Sequence, residues 1–446
     1  MENFFKALSS EVMQNDSISD EMFKKYNVKR GLRNENGSGV LVGLTEISSV
    51  MGYTKYDEEI IPCEGKLYYR GFDVNDLISD GHCEKHVLFE ETAYLLLAGK
   101  LPTQKELKFF RELLAQNREL PKNFVRDNLS TFRTRDIMNA LARSVLTFYS
   151  NDKNPDDISL DNLLRQSVEL VAKVPSVVAY AYRVYLEAYR GKSLIIHRPN
   201  IEYTTAEDFL SLIRDDGQFT DTEARVLDAA LVLHADHGGG NNSTFTTRVV
   251  TSSGTDTYSA IAAAMGSLKG PLHGGANLYV MKMMDDIKQN VKDWTDKEQL
   301  RSYVLKILNK EVGDGSGKIF GFGHAVYTMS DPRAVILKQY AQQLAEEKNR
   351  RDEFALYTLM EEVVPEAFAE FKGGSKIVAP NVDFFSGFVY DCLGIPREVY
   401  TPLFAMARTA GWVSHRIEEI LVQKRIMRPA YKNVTTIRNY VPIEQR

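Results

Sequence analysis

Apolar residues recur every three or four positions along most of this chain, the spacing that gives a helix one apolar face. Residues 86–99 (HVLFEETAYLLLAG) and 222–233 (TEARVLDAALVL) carry it. So does 258–268, where Tyr258, Ile261, Ala262, Met265 and Leu268 mark one side. Gly270-Pro271 stops that helix, because proline lacks the N–H that a further turn needs. Strand-like alternation is confined mainly to GVLVGLTEISSV (39–50) and GKLYYRGFDV (65–74), with a turn-rich connection expected between them. The pattern predicts a mostly α protein with minor β structure near its beginning.

Two segments rich in Gly, Ser and Pro, 311–323 (EVGDGSGKIFGFG) and 371–383 (FKGGSKIVAPNVD), bracket a further helical block. With the break at 270–275 they predict a smaller helical unit inserted within a larger one. The boundaries expected are an N-terminal helical extension at 1–38, a large domain of 39–273 and 389–446, and a small domain of 274–388. Residues 1–26 read either as a partner-binding arm or as a solvated helix packed on the domain. No internal repeat or low-complexity tract interrupts the pattern.

With 446 residues, length favours two or more domains. A hydrophobic share of 43% with 26% charged residues is ordinary for a globular protein. The net charge of −5 predicts neither a nucleic-acid partner nor a polybasic membrane patch, so positive charge for an anionic ligand must be local. No apolar run reaches the ~20 residues of a membrane span. The acidic N-terminal stretch lacks the basic region of a signal or transit peptide, which predicts a cytoplasmic protein. Cys63, Cys83 and Cys392 form neither a metal-ligand spacing nor a disulfide framework.

The chemistry concentrates in histidines bordered by glycine. His234 and His237 lie in LHADHGGGNN, His273 in GPLHGGAN and His324 in GFGHAVYTMSDPR. Glycine lets a ligand approach the backbone closely. His273 precedes a predicted helix whose positive end disfavours imidazolium; it either donates a hydrogen bond as a neutral ring or merely caps that helix. Gly321 and Gly323 flank His324 without forming a nucleotide fingerprint. Asp383, in PNVDFFSG, is a carboxylate beside aromatic rings, either a strengthened base or a turn residue after Pro380. Arg408 is the sole charge from Leu403 to Val413, so its partner is distant in sequence or a ligand. Arg333 and Arg428 read locally as solvated loop arginines. His234 and His237 also have a spacing open to metal, though no third ligand stands at a familiar offset.

Taken together these segments resemble citrate synthase, from about residue 40 to the C-terminus. LHADH, GPLHGGAN, GFGHAVYTMSDPR, PNVDFFSG, FAMAR and RPAY stand in that family's order and spacing, and EGKLYYRGFDVNDL and LLLAGKLPT are similar to its N-terminal region. The resemblance implies the two-domain, mostly α fold of that family. It implies catalytic roles for His273, His324 and Asp383, and oxaloacetate binding by His237, Arg333, Arg408 and Arg428, with Arg428 supplied by the neighbouring subunit of a homodimer. Phe404 matches a pocket aromatic, Lys376 a coenzyme A phosphate contact, and Gly321 and Gly323 the coenzyme A side. No permanently bound cofactor is implied; acetyl-CoA is a co-substrate, or propionyl-CoA if the chain is a 2-methylcitrate synthase. One departure is Gly238, where many members carry Glu. A metal-dependent hydrolase built on His234 and His237, and a non-catalytic helical scaffold, are the rivals from other classes.

Overall fold

A computed structural model describes residues 2–15, 18–34, 37–56, 59–79, 87–373 and 378–445. The backbone forms two compact units, Met1–Gly43 with Met427–Arg446, and Leu44–Ile426. The first holds the helices Glu2–Asn15 and Asp20–Lys25 and an irregular C-terminal stretch that ends in the short turn Ile443–Gln445. Within the helix-like stretch 1–26 these two helices cover Glu2–Asn15 and Asp20–Lys25, and residues 1, 16 and 17 lie outside the described residues.

The larger unit is helical, and its helices start and stop where the sequence chemistry dictates. The Asp221–His234 helix opens on a capping box, in which Thr220 and Glu223 each satisfy the other's backbone N–H. The Thr257–Lys269 helix begins at the Asp256 cap and ends before Gly270-Pro271; all five of its predicted face residues are buried. The helix expected at 86–99 spans Leu88–Ala98 and closes on Gly99 in the left-handed region, φ 77°. Residue 86 lies outside the described residues.

At the centre runs the Tyr400–Glu418 helix, packed against the helices Leu160–Arg190, Thr257–Lys269, Asn242–Thr251, Leu88–Ala98 and Asp221–His234. A helix covered on every side is ordinarily apolar all round. This one buries Arg408, Trp412, His415, Arg416 and Glu418 as well. Polar groups at such depth need partners, and those partners define the site.

The β structure differs from the expected boundaries. The sheet has three antiparallel strands in the order β1 (Ser48–Tyr56), β2 (Glu59–Tyr69) and β3 (Phe72–Asp73). The first strand therefore begins only where 39–50 ends, and the expected connection is mostly strand. The reason is pairing: Tyr53, Thr54 and Lys55 find partners in Pro62, Ile61 and Ile60, whereas Leu41, Val42 and Leu44 have no strand partner among the described residues and stay exposed. The register shifts between Met51 and Tyr53, at Gly52. Ser48 and Gly52 on β1, with Gly65, Leu67 and Tyr69 on β2, share the covered face.

Among the described residues no helix is long and apolar enough to cross a membrane.

Candidate active site

Arg408 is the hub. Its side chain is fully buried, its Nε donates to the His234 carbonyl at 2.7 Å, and its guanidinium lies 4.7 Å over the Phe404 ring. Nη1 and Nη2 are buried with no hydrogen-bond partner among the described residues. Burial drags the guanidinium down to about 10. A buried cation with two unsatisfied nitrogens costs several kcal/mol unless an anion meets it. Among the described residues no acid hydrogen-bonds those two nitrogens; Asp236 and Asp383 act on the guanidinium only through their charge.

Around this cation stand imidazoles held neutral. Burial first, then the charges of Arg333 and Arg408, keep His234 and His237 well below the usual histidine range. His237 leaves Nε2 buried with no hydrogen-bond partner among the described residues, and its ring meets His324 edge to face at 5.2 Å. The Phe404 ring lies 4.3 Å from that of His234, whose Nε2 lies 2.5 Å from the Tyr390 hydroxyl. Tyr327, which sequence reasoning passed over, stacks on His324 at 4.7 Å and lies under the Arg333 guanidinium at 5.8 Å.

Arg333 corrects its local reading as a solvated loop residue. It is 3% exposed, and Asp331 grips it bidentately, Nε to Oδ1 at 3.0 Å and Nη2 to Oδ2 at 2.7 Å. The pairing holds its guanidinium above the ordinary value in spite of burial. Asp331 was also missed, although an aspartate before Pro332 at the first helical turn is a readable cap signal. Its Oδ2 accepts the Val382 N–H at 3.1 Å, which ties the start of the Pro332–Glu347 helix, where Arg333 sits, to the helix carrying Asp383.

Asp383 sits in the first turn of the Val382–Cys392 helix, whose cap is Asn381. Its backbone is set beside the His324 loop by a short ladder: Gly323 N–H to the Ala379 carbonyl at 2.9 Å, and Asn381 N–H to the Gly321 carbonyl at 2.8 Å. A Cβ at Gly321, φ 81°, would meet Val280 at 2.8 Å and Phe384 at 3.0 Å, so only glycine fits. Burial among these aromatics raises the Asp383 carboxyl to about 6, against the pull of Arg333 and Arg408.

His273 and His324 are each fixed by one ring nitrogen. The Ser243 N–H reaches His273 Nε2 at 3.3 Å, and the Ser243 hydroxyl, itself held by Trp412 Nε1 at 3.2 Å, lies 3.0 Å away. With Nε2 accepting, the neutral ring keeps its proton on Nδ1. Burial, with Arg408 beside it, lowers His273 to about 4, so the ring is neutral near pH 7. In His324 the roles reverse: Nδ1 accepts from Val326 N–H at 3.0 Å and Tyr327 N–H at 3.1 Å, leaving the proton on Nε2.

The arrangement has a deep part and a rim. His237, Arg333 and Arg408 are buried; His273, His324, Asp383 and Phe404 are half-buried. A small polyanion would be held at depth, and a larger molecule would meet the acid–base groups from outside. Gly323 is exposed beside them. Arg428 lies in the unit formed by the termini and is exposed, and Lys376 lies outside the described residues. Among the described residues no group of three His, Cys, Asp or Glu side chains converges as a metal site requires.

Neutral imidazoles, buried arginines and a raised carboxyl, gathered around a buried, charge-bearing helix, are the equipment of an acid–base enzyme acting on an anionic substrate. A sequence model described as citrate synthase, C-terminal domain, matches residues 35–430, and the chain belongs to the citrate synthase family. It is accordingly an acyltransferase of the type that converts acyl groups into alkyl groups on transfer. It is 38% identical to a citrate synthase of Synechocystis over 392 residues, 86% of this chain and 89% of that one. It is 34% identical to 2-methylcitrate synthase 1 of Corynebacterium glutamicum over 427 residues, 94% and 98% of the two chains. The citrate synthase of Thermoplasma acidophilum, solved as a ternary complex with carboxymethyl coenzyme A and oxaloacetate, superposes with a TM-score of 0.76 at 30% identity, covering 94% and 99%.

Proposed function

We propose that this enzyme condenses acetyl-CoA with oxaloacetate and water to give citrate and free coenzyme A. The observation that carries the proposal is Arg408, a buried guanidinium whose two terminal nitrogens await an anion beside imidazoles already kept neutral. A dicarboxylate keto acid supplies that anion.

In this mechanism the Asp383 carboxylate removes a methyl proton from the thioester while His273 Nδ1–H donates to its carbonyl oxygen. The enol carbon attacks the keto carbon of oxaloacetate, whose oxygen takes the proton of His324 Nε2. Water then cleaves the citryl thioester, and the thiol leaves as coenzyme A. General acid–base assistance contributes ~10²–10⁴-fold, and an oriented donor to the oxyanion ~10²–10³-fold. Arg333, Arg408 and His237 hold the keto acid, with Phe404 as its wall. Arg428 reaches it from the neighbouring subunit of a homodimer. Lys376, Gly321 and Gly323 line the coenzyme A side, and coenzyme A is a co-substrate. Residues 274–388 form the small domain that closes on 39–273 and 389–446, keeping water out until the carbon bond exists. The enzyme works in the cytoplasm.

The similarity to a 2-methylcitrate synthase favours one second reading, in which propionyl-CoA is the acyl donor. One methylene separates the two by ~1–3 kcal/mol, or about 10–200-fold. A thiol-release assay with oxaloacetate decides: kcat/KM is expected to be higher for acetyl-CoA. Preference for propionyl-CoA transfers the assignment to the second reading, and release from neither thioester ends both.

A further inference from the structure

The β1–β2 hairpin touches two of the site's loops at once. At one end, the Ser48 hydroxyl hydrogen-bonds the Asp236 carboxylate and accepts the Gly238 N–H at 3.0 Å. The turn it holds, 236–238, is the one that carries His237. Tyr69 on the neighbouring strand adds its hydroxyl, 2.9 Å from the Val232 carbonyl and 3.0 Å from that of Asp236. Behind the same turn, His415 Nε2 stands 3.2 Å from Asp236 Oδ2, and its Nδ1 takes Arg248 Nη2 at 2.7 Å. Because Nδ1 accepts, His415 donates through Nε2. Asp236 is held well below the usual carboxylate range by these donors in spite of burial.

A few residues further along, the hairpin lies against the loop that carries His324. A Cβ added at Gly52 would meet the Val326 carbonyl, with the carbonyl carbon at 2.9 Å. One added at Gly65 would strike the Ser330 carbonyl oxygen and the Tyr327 ring at 2.7 Å. The contacts are polar as well: Gly65 N–H reaches Ser330 Oγ at 3.2 Å, and the Tyr327 hydroxyl reaches the Lys66 carbonyl at 3.4 Å. Val326 and Tyr327 are the residues whose N–H groups fix His324 Nδ1. The ladder runs unbroken from Ser48–Tyr69 to Met51–Lys66 and shifts register only at Gly52, so continuous backbone pairing links the Ser48 contact to the edge of the Gly52–Gly65 seat.

We propose that the hairpin is a clasp setting the separation and orientation of His237 and His324, with Ser48 as its pin on one loop and Gly52 and Gly65 as its seat on the other. These are positioning residues; none of them touches the reacting atoms. The inference rests on the proposed condensation, in which His237 and His324 address the same keto acid. Its consequence is that polarisation of the bound keto carbonyl depends on residues of a small sheet that carries no chemistry itself. A displacement of ~1 Å in such a donor costs about 100-fold in rate.

The test is the ¹³C resonance of oxaloacetate labelled at its keto carbon, bound to the full-length enzyme, together with kcat, KM and the thermal midpoint. The unmodified enzyme is expected to move the resonance downfield as its carbonyl is polarised. Ser48→Ala and Gly65→Ala are each expected to return it toward the free-ligand position and to lower kcat 10–100-fold. Ser48→Thr, which keeps the hydroxyl, should recover most of the shift. Ser49→Ala, on the exposed face of the same strand, should match the unmodified enzyme. Variants that lose thermal stability but keep the shift overturn the clasp, as does an effect confined to only one of the two contacts. Should Gly65→Ala not fold, the Ser48 variants decide. If the unmodified enzyme fails to polarise oxaloacetate, the functional assignment falls and takes the clasp with it; if it does and the variants match it, only the clasp falls.

Discussion

Asp383 carries the acid–base argument at the scale of one residue. Burial lifts its carboxyl from 3.8 to about 6, so the folded protein binds that proton more tightly than the unfolded chain does. The resulting stabilisation is whole below about pH 4 and lost once the pH passes 6. Asp383→Asn should therefore be at least as stable as the unmodified protein above pH 6, while thiol release falls by ~10²–10⁴-fold. The profile of kcat/KM for the thioester should rise with unit slope below about pH 6 and then level. His273, lowered to about 4, has already lost its proton well below pH 6 and adds no inflection there. A rate independent of pH between 5 and 7 would remove Asp383 as the base.

Arg408 allows a sharper test because its two effects have opposite sign. Arg408 keeps one hydrogen bond, Nε to the His234 carbonyl, and its two terminal nitrogens have no partner among the described residues, so an apolar replacement is expected to be neutral or stabilising in the empty protein. Arg408→Leu is expected to leave the thermal midpoint unchanged or higher without ligand. It should also weaken oxaloacetate at least about 100-fold, since each charge-assisted hydrogen bond contributes ~1.5–3 kcal/mol. Calorimetric titration with oxaloacetate and a melt in its absence measure the two.

Among elements, the site depends on how loops are tied to helices. Asp331 caps the Pro332–Glu347 helix, neutralises Arg333 and accepts the Val382 N–H at the start of the Asp383 helix. Asp331→Ala removes all three contacts and strands a buried arginine, at a cost of ~3–5 kcal/mol. A denaturant titration should find that loss, and activity should fall even where folded protein remains. A destabilisation below about 1 kcal/mol would mean that Arg333 finds another anion within the protein. Gly274 is similarly constrained: a Cβ there would run into the Leu268 carbonyl and meet Thr401 at 2.9 Å, displacing the turn that aims His273.

For the molecule as a whole, the compact unit of Leu44–Ile426 holds every proposed catalytic group, and Arg428 belongs to the unit of the two termini. If a neighbouring subunit completes the site, two defective chains can repair one another. Arg428→Ala and Asp383→Asn should each be nearly inactive alone. Mixed oligomers of the two should recover about a quarter of the unmodified rate by statistical pairing, measured as thiol release after co-refolding. No recovery on mixing would place the completed site within a single chain.

The helical character of this protein and the order of its site segments were legible in the chain itself. Periodicity found the helices because burial of one apolar face is a local rule repeated every turn. Arg408 announced itself as a lone charge in an apolar helix, and the aromatic neighbours of Asp383 pointed to its desolvation. The strand boundaries were misjudged at 39–50 because pairing, which depends on a distant partner, outweighs local alternation. Arg333 looked solvated because Asp331 grips it only once the first turn of the Pro332–Glu347 helix has formed and been buried. The proton positions on His273 and His324 lay beyond the sequence for the same reason: each is set by backbone N–H groups whose direction exists only in three dimensions. Sequence thus determined which chemical groups are present and which helices carry them. Tertiary packing alone decided their charge states and their mutual aim, because desolvation and hydrogen-bond geometry are properties of the surroundings rather than of the residue.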